Sequence, residues 1–449
     1  MMTHSRWQGK HVLVLGLAKS GTAAARILKQ LGAKVIVNDQ LAFDQNDAAK
    51  ELQQEGFDVV CGEHPESLVH EGLYAVVKNP GIRYDHSLIK KALKLQIPVL
   101  TEVQIAYDIA PCDMIGITGS NGKTTTTTYI HDMLVGGAKT PHIAGNIGVV
   151  AAEVANQASE SDIMVVELSS FQLMGTDTFA PKIAILLNLI DAHLDYHGTR
   201  DEYIEAKKQI FMNQTKSDYL IYNADDEIVC EMIKDAKATL VPFSTKKKVD
   251  GAYVEDGYLQ FKGEKIVTVD SFSLPGEHNV SNALSALAAA FLAGGNIKTI
   301  QNVLQTFSGV EHRLQYVTTK KDRKFYNNSK ATNVAATVTA LQAFEQPIVL
   351  IAGGLDRGLS FDELEKELTN VHTLVSYGET SELLAEAATR AGAKAIVTET
   401  LSEAVPHAFR ESNKGDVVLL SPACASWDQF KTFEERGKAF LDAVYHLDD

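Results

Sequence analysis

With 449 residues, of which 45% are hydrophobic and 22% charged, the chain is expected to form about three globular domains with sizeable cores. The formal net charge of −15 argues against a broad surface that binds phosphate backbones, so we expect no nucleic-acid partner. The four scattered cysteines lack zinc-ligand spacing, which favours reduced thiols and no structural zinc site. Residues 1–10 lack the apolar region of a signal peptide, and no apolar run approaches the roughly 20 residues that span a bilayer. We therefore expect a cytoplasmic protein without membrane insertion.

The first block of the chain alternates strand and helix patterns, which predicts a parallel sheet flanked by helices. An apolar run at 11–15 is the first predicted strand, and a helix follows it through Leu31. Further strands are predicted at 34–38, 57–60, 74–78 and 98–100.

Residues at the carboxyl ends of these strands are candidates for ligand binding. Gly16 to Gly21 lies where a dinucleotide-binding fingerprint would begin, but Ala18 replaces the middle glycine and crowds the approach of a pyrophosphate. Asp39 ends the second strand, where an acidic residue often binds a ribose hydroxyl. Lys78-Asn-Pro-Gly81 is a further turn. A nucleotide site is one interpretation of these residues, and plain structural turns are the other, while NAD is disfavoured.

The second block begins with the most informative segment of the chain, Met114 to Thr125. An apolar strand precedes a glycine-rich turn, and Lys123 and Thr124 follow at the start of a helix. Backbone N–H groups and the positive end of a helix bind phosphates, the lysine can reach the terminal phosphate, and the threonine can ligate Mg²⁺. The ordinary P-loop has glycine where Ile117 stands, so the spacing indicates a particular family of ATP-binding proteins.

Other residues of the second block suggest a metal site. Glu167 ends a predicted strand at 163–167, and a carboxylate there is a natural partner for Mg²⁺. His193 lies in a segment with Asp195 and His197, for which we favour a role near Mg²⁺ or the substrate over a zinc site or a structural role. Lys207 would be a surface charge by composition alone. Further elements are a strand at 183–187, a helix at 200–213, a hairpin region after Asp250 and a helix after Gly276.

The third block has predicted strands at 348–352, 373–377, 394–397 and 417–420, with helices between and after them. The whole chain is therefore predicted to be an α/β protein with three domains. These are a Rossmann-like domain at 1–105, a central P-loop ATPase-like domain with a parallel sheet at 106–308, and a C-terminal Rossmann-like domain at 309–449.

In their order along the chain, the motifs of the second block resemble the Mur ligase family, which uses ATP to form amide bonds in peptidoglycan precursor synthesis. The segments that carry this resemblance are Gly116 to Thr124, Gly145-Asn-Ile-Gly148, Glu167 to Gln172, the His193 segment and Glu205-Ala-Lys207. The third block, above all Ser421 to Phe433, is most similar to the members that add D-glutamate to UDP-N-acetylmuramoyl-L-alanine. The resemblance implies an acyl-phosphate intermediate with release of ADP and phosphate.

The resemblance also implies the site residues. The catalytic and metal-binding set, with ATP and one or two Mg²⁺ ions as cofactors, is Lys123, Thr124, Glu167, His193 and a carbamylated Lys207. The other ATP-binding residues are Gly119, Ser120, Asn121, Gly122, Thr125, Asn282, Arg313 and Asn328. The UDP-substrate residues are Gly16, Ala18, Lys19, Ser20, Asp39, Asn79, Gly81 and Asn146. The D-glutamate residues are Lys330, Thr332, Arg357, Ser426 and Phe433. The family usually has aspartate where Asn328 stands, and some members have lysine in place of Arg357.

Two other functions stay open on the sequence. A folylpolyglutamate-synthetase-like ligase would share the second and third blocks but would not need the first. A sensor that binds a UDP-sugar without turnover is the second, although Lys123, Thr124, Glu167 and Lys207 argue against it. For the ligase we expect two small-molecule partners, UDP-N-acetylmuramoyl-L-alanine and D-glutamate, and a monomer.

Overall fold

The computed structural model describes residues 6–190, 194–274, 276–358 and 360–447. The chain divides into two compact units, the first comprising Met1–Phe272 and Glu277–Thr306 and the second Ser273–Gly276 and Phe307–Asp449. Within the described residues there is one sheet in each predicted block, which confirms the α/β class and the three-domain organisation. The domain boundaries at 105/106 and 308/309 stay a prediction.

The first block forms a parallel sheet with strand order β3-β2-β1-β4-β5. Its strands are β1 (His11–Leu15), β2 (Lys34–Asp39), β3 (Asp58–Cys61), β4 (Ala75–Lys78) and β5 (Val99–Leu100). Its helices are α1 (Lys19–Gln30), α2 (Asp47–Gln54), α3 (Ser87–Lys94) and α4 (Glu102–Ile109). Every predicted strand of this block is confirmed. Trp7 is fully buried beside this sheet, where its indole N–H donates to the Asp108 carboxylate at 3.0 Å.

The second block forms the largest sheet, with strand order β14-β13-β12-β11-β10-β9-β6-β8-β7. Its strands are β6 (Asp113–Thr118), β7 (Thr140–Gly145), β8 (Asp162–Glu167), β9 (Ile183–Leu186), β10 (Tyr219–Asn223), β11 (Thr239–Ser244), β12 (Ala252–Glu255), β13 (Tyr258–Phe261) and β14 (Glu264–Thr268). Its helices are α5 (Lys123–Leu134), α6 (Ala151–Gln157), α7 (Ser170–Leu173), α8 (Leu194–His197), α9 (Arg200–Lys208), α10 (Glu227–Met232), α11 (Glu277–Leu292) and α12 (Ile297–Thr306). The strands from β7 to β12 pair in parallel, and β12 to β14 form the expected antiparallel hairpin region.

The predicted helix at 200–213 was too long, because α9 ends at Lys208. After Lys208 the backbone hydrogen bonds span three residues instead of four, from Ile210 N–H to the Lys207 carbonyl and from Phe211 N–H to the Lys208 carbonyl. These three-residue turns direct Ile210 and Phe211 into the core, where both are at most 1% exposed. Tertiary packing therefore overrides the helical pattern at this point.

The second unit contains the third sheet, with strand order β15-β16-β20-β17-β18-β19. Its strands are β15 (Gln315–Lys320), β16 (Arg323–Asn327), β17 (Ile348–Gly353), β18 (Val371–Tyr377), β19 (Lys394–Val397) and β20 (Val417–Leu420). Its helices are α13 (Val334–Leu341), α14 (Asp362–Lys366), α15 (Ser381–Arg390), α16 (Leu401–Glu411) and α17 (Phe433–Tyr445). The β15–β16 hairpin is antiparallel and was not predicted, whereas all four predicted strands are confirmed. Within the described ranges, no helix combines the length and the apolar character needed to cross a membrane.

Buried polar contacts join the first two sheets inside the first unit. The Thr101 hydroxyl donates to the Gln172 carbonyl at 2.8 Å, and the Glu102 carboxylate accepts from the Ala152 N–H at 3.0 Å. Glu102 is only 2% exposed at the packing of α4 against α6, so burial raises its pKa to about 7.

This raised pKa makes stability depend on pH. Because the folded-state pKa exceeds the unfolded value of 4.5, the stabilisation from protonated Glu102 is full below pH 4.5 and is lost as pH rises through about 7. We expect Glu102→Gln, which stays neutral, to be more stable than wild type by on the order of 2 kcal/mol at about pH 8, but not at about pH 5. Urea denaturation at both pH values checks this, with exposed Glu160→Gln as the control. Equal midpoints for wild type and Glu102→Gln at about pH 8 would contradict it.

Candidate active site

The glycine-rich turn between β6 and α5 has the geometry of a phosphate-binding loop. Gly119 and Gly122 have φ values of 156° and 83°, a region that glycine adopts without strain. A methyl group added at Gly122 would lie 2.2 Å from the Asn282 side-chain oxygen, so α11 packs directly against the loop. The Lys123 amine donates to the carbonyls of Gly119 and Ser120, both at 2.9 Å. The lysine amine is therefore held against the carbonyl groups of the turn, the region in which such loops bind a phosphate chain.

Side chains outside the loop hold the remaining predicted loop residues. The Ser120 hydroxyl lies 2.8 Å from the Tyr203 hydroxyl, and the Asn121 N–H donates to the Asn188 side chain at 2.9 Å. Thr125 is in the first turn of α5. Tyr203 and Asn188 were missed by the sequence reasoning, although Tyr203 lies four residues before Lys207 and so shares its face of α9.

Glu167 organises the carboxyl ends of three neighbouring strands, β6, β8 and β7. Its carboxylate accepts from the Thr124 hydroxyl at 2.8 Å and from the Asn146 side-chain amide at 2.9 Å, and it is 1% exposed. The structure thus brings together Thr124, Asn146 and Glu167, which the sequence had assigned to the same reaction centre. Their hydroxyl, amide and carboxylate oxygens are the hard donors that suit Mg²⁺.

Lys207 is a buried amine of this centre rather than a surface charge. It is 1% exposed, and its Nζ donates to the Gly119 carbonyl at 2.8 Å and to the Thr118 hydroxyl at 3.3 Å. The Tyr203 ring lies 4.8 Å from this amine. Burial lowers the pKa of Lys207 well below its ordinary value, and the positive charge of Lys123 lowers it further. Loss of the proton, which gives the nucleophilic form of a lysine, is therefore easier for Lys207 than for an exposed lysine.

His193 lies outside the described residues, so its predicted role is not addressed by the structure. In the same segment, His197 is buried and its ring nitrogen lies 2.8 Å from the Ser170 hydroxyl. Its ring also stacks on Phe171 with centroids 5.3 Å apart. These contacts are those of a packed core histidine.

The predicted UDP-substrate residues of the first block lie at the carboxyl ends of β1, β2 and β4. The Asp39 carboxylate accepts from the N–H groups of Leu17 at 2.6 Å and Leu41 at 2.8 Å. The Asn79 amide donates to the Ser20 hydroxyl at 3.1 Å, and Gly16 has φ +88°. Ala18 and Lys19 are exposed at the start of α1. The β1–β4 pair is the point where the strand order reverses, the usual ligand crevice of such sheets.

The predicted D-glutamate residues follow three adjacent strands of the second unit, β16, β20 and β17. The Lys330 amine lies over the Phe433 ring at 5.2 Å, and Thr332 is nearby in sequence. The Arg357 guanidinium lies over the Trp427 ring at 4.7 Å, and Ser426 is buried next to that tryptophan. Trp427 is 64% exposed and was not singled out from the sequence.

Arg436 connects these two groups, and it was also missed. It is fully buried, and its guanidinium donates to the Ser329 hydroxyl, the Ser329 carbonyl and the Cys424 carbonyl at 2.8 to 3.0 Å. The segments that carry Lys330 and Ser426 are therefore fixed by one side chain.

Asn328 and Arg313 complete the predicted set in the second unit. The Asn328 side chain accepts from the Leu314 N–H at 3.2 Å and donates to the Ser421 hydroxyl at 3.1 Å. The Ser421 hydroxyl in turn donates to Thr337, so the amide group of an asparagine matches this position. Arg313 is exposed in the adjoining turn.

Each of the three blocks matches a domain of a known protein family. The chain matches the Mur ligase MurD-like N-terminal domain over residues 10–101, the Mur ligase middle domain over 117–290, and the Mur ligase glutamate ligase domain over 312–424. The chain belongs to the Mur ligase family. As a member of this family, the protein uses ATP.

Relatives of this Mur ligase match it over their full length. It is 54% identical to UDP-N-acetylmuramoylalanine--D-glutamate ligase of Halalkalibacterium halodurans and 56% identical to the protein of that name from Bacillus mycoides, with 100% of both chains covered in each case. Among solved structures it is similar to UDP-N-acetylmuramate-alanine ligase of Thermotoga maritima, with a TM-score of 0.57 and 19% identity over 97% of this chain and 99% of that one. This likeness supports the fold.

The phosphate loop of this Mur ligase provides a test at one glycine. We expect Gly122→Ala to abolish binding of a non-hydrolysable ATP analogue, because the added methyl group meets Asn282 and φ is +83°. Gly136, just beyond the other end of α5, has φ +74° but no atom within 4 Å of an added methyl group. Gly136→Ala should therefore keep ATP binding while costing about 1 kcal/mol of stability. Calorimetric titration of both variants checks this, and equal losses of affinity would contradict it.

Proposed function

We propose that this Mur ligase adds D-glutamate to UDP-N-acetylmuramoyl-L-alanine, with ATP converted to ADP and phosphate, in peptidoglycan precursor synthesis. The observation that carries this proposal is the full-length identity of 54 to 56% to ligases of that name, and the contacts among Gly119, Lys123, Thr124 and Glu167 in the first unit support it. We further propose that the reaction takes place in the cytoplasm and that the enzyme is a monomer.

The proposed chemistry has two steps. An oxygen of the L-alanyl carboxylate attacks the γ-phosphorus, and the bond to ADP breaks to give an acyl phosphate. The D-glutamate amine then attacks the acyl carbon, loses a proton, and phosphate leaves from the tetrahedral intermediate. Lys123, whose amine contacts the Gly119 carbonyl of the loop, would offset the negative charge on the transferred phosphoryl group.

Thr124 and Glu167 are the proposed protein donors for Mg²⁺, since their oxygens converge within 2.8 Å of each other. The ion would supply charge neutralisation at the phosphates. His193 and a carbamylated Lys207 complete the proposed set, with room for one or two ions. Carbamylation joins the neutral Lys207 nitrogen to the carbon of CO₂ with loss of a proton, and a lowered pKa supports that reaction.

Substrate contacts are proposed from position. The nucleotide would contact the loop from Gly119 to Thr125 together with Asn282, Arg313 and Asn328. The UDP-substrate would contact the strand ends of the first block and Asn146. D-Glutamate carries two carboxylates, for which Lys330 and Arg357 are the proposed cationic partners, with Thr332, Ser426 and Phe433 around them.

Phosphate release from ATP tests this function. With UDP-N-acetylmuramoyl-L-alanine present, we expect release and a coupled product, identified by mass, with D-glutamate and not with L-glutamate, L-lysine or diaminopimelate. Lys123→Ala should lower kcat by roughly 100-fold or more, whereas Lys139→Ala, which removes a lysine from a partly exposed ion pair with Asp113, should leave it unchanged. Turnover with another amino acid would show that this Mur ligase adds that amino acid instead of D-glutamate. No turnover with any of the four amino acids would favour a folate-type ligase or a sensor.

The modification of Lys207 has a separate test. In protein equilibrated with ¹³C-bicarbonate, we expect a carbamate signal by NMR that disappears in Lys207→Ala, with activity falling by roughly 100-fold. Lys208→Ala is the matched control, because this neighbouring lysine pairs with Asp235 at 3.1 Å on the outside of α9. A carbamate signal that persists in Lys207→Ala, or an unmodified but fully active wild type, would overturn the proposal.

A further inference from the structure

Lys78 is a buried lysine that the reaction described above does not use. It is 1% exposed at the end of β4, and its amine donates to the carbonyls of Pro80 at 3.1 Å and Ile82 at 3.0 Å. Burial alone lowers its pKa, to about 7, and no carboxylate of the described residues opposes that effect. An apolar side chain would fill this space at lower desolvation cost, so the position of the amine needs an explanation beyond packing.

Tyr196 of the second block meets the same two carbonyls. Its hydroxyl lies 3.0 Å from the Pro80 oxygen, 2.9 Å from the Ile82 oxygen and 3.3 Å from the Lys78 amine. The Tyr196 ring packs on the ring of Phe171, with centroids 4.2 Å apart. Phe171 lies four residues after Glu167 in the sequence. The turn at 79–82 is thus held by Lys78 of its own block and by Tyr196 of the block that carries the phosphate loop.

The held carbonyls determine what the turn presents to a ligand. A planar trans peptide points its C=O and N–H in opposite directions, so fixing the Pro80 carbonyl also fixes the Gly81 N–H. That N–H lies 3.2 Å from the Asn79 side-chain oxygen, and the Asn79 amide reaches Ser20. Asn79, Gly81 and Ser20 are three of the residues expected to bind the UDP-substrate.

We propose that Lys78 is a positioning residue for the UDP-substrate: with Tyr196 it fixes the 79–82 turn so that Asn79 and Gly81 present a preformed binding edge. This inference rests on the proposed ligase function. The lysine does not touch the substrate, because its amine is enclosed by the turn carbonyls and the tyrosine hydroxyl.

Steady-state kinetics of the full chain tests this role with Lys78→Met, which keeps the volume and removes the amine. We expect the KM for UDP-N-acetylmuramoyl-L-alanine to rise about tenfold, while the KM values for ATP and D-glutamate and the kcat change by less than about threefold. Tyr196→Phe, which removes one hydroxyl and keeps the lysine, should raise the same KM about threefold. Lys90→Met, at an exposed lysine of the same block, is the control and should change none of these values.

The outcomes separate this inference from the proposed function. If wild type turns over and neither variant raises the KM for the UDP-substrate, the inference is wrong and the ligase function stands. Equal increases in all three KM values, together with a lower melting temperature, would mark a merely structural lysine and also overturn it. If Lys78→Met does not fold, Tyr196→Phe decides alone. A wild type without turnover would instead refute the ligase function on which the inference rests.

Discussion

The carbonyl oxygen of Gly119 accepts hydrogen bonds from two lysines, and the first unit is built around that constraint. Lys123 reaches it from the start of α5 at 2.9 Å, and Lys207 reaches it from α9 at 2.8 Å. Two ammonium groups in so small a buried volume repel each other, and the more deeply buried one loses its proton more readily. The Gly119 peptide group therefore holds two lysine amines, of which Lys207 is the one whose pKa burial lowers.

Glu167 provides the opposite charge to this arrangement. It is buried at the end of β8, and both of its oxygens are occupied, one by Thr124 and the other by Asn146. Both of these partners are neutral groups rather than the cation of an ion pair, so the carboxylate can still pair with a bound cation. The three strands that end here bring residues from 118, 145 and 167 to one edge, which is what a parallel sheet does for a site assembled from distant segments.

Much of this fold was predictable because its central strands are apolar runs bounded by turns. Ile348–Gly353 is buried at every position and was found from its composition. The edge strands β7 and β15 were missed, and β7 contains proline and histidine while β15 is rich in threonine, since edge strands need to bury only part of their surface. The interior strands β10, β11 and β16 were missed as well, and each of them includes positions that are only partly buried. The loop was recognisable from its spacing and Glu167 from its place at the end of an apolar strand, whereas Asn146 was assigned through the family resemblance. The burial of Lys207 was not, because Thr118 and Gly119, which enclose it, lie far away in sequence. For the same reason Arg436 had no sequence signal, because the Ser329 groups that it binds are distant in sequence. The turn that begins at Lys78 was noticed, but the burial of its amine against Tyr196 was not.

The chain has two tryptophans, and the fold gives each of them a different environment. Trp7 is fully buried in the first unit, and Trp427 is 64% exposed in the second, with a guanidinium over its ring. A dry indole emits at shorter wavelength than a hydrated one and is shielded from collisional quenchers. Each compact unit therefore carries its own intrinsic fluorophore, and the order in which the two units lose structure can be followed on unlabelled protein by resolving one emission spectrum into its two components.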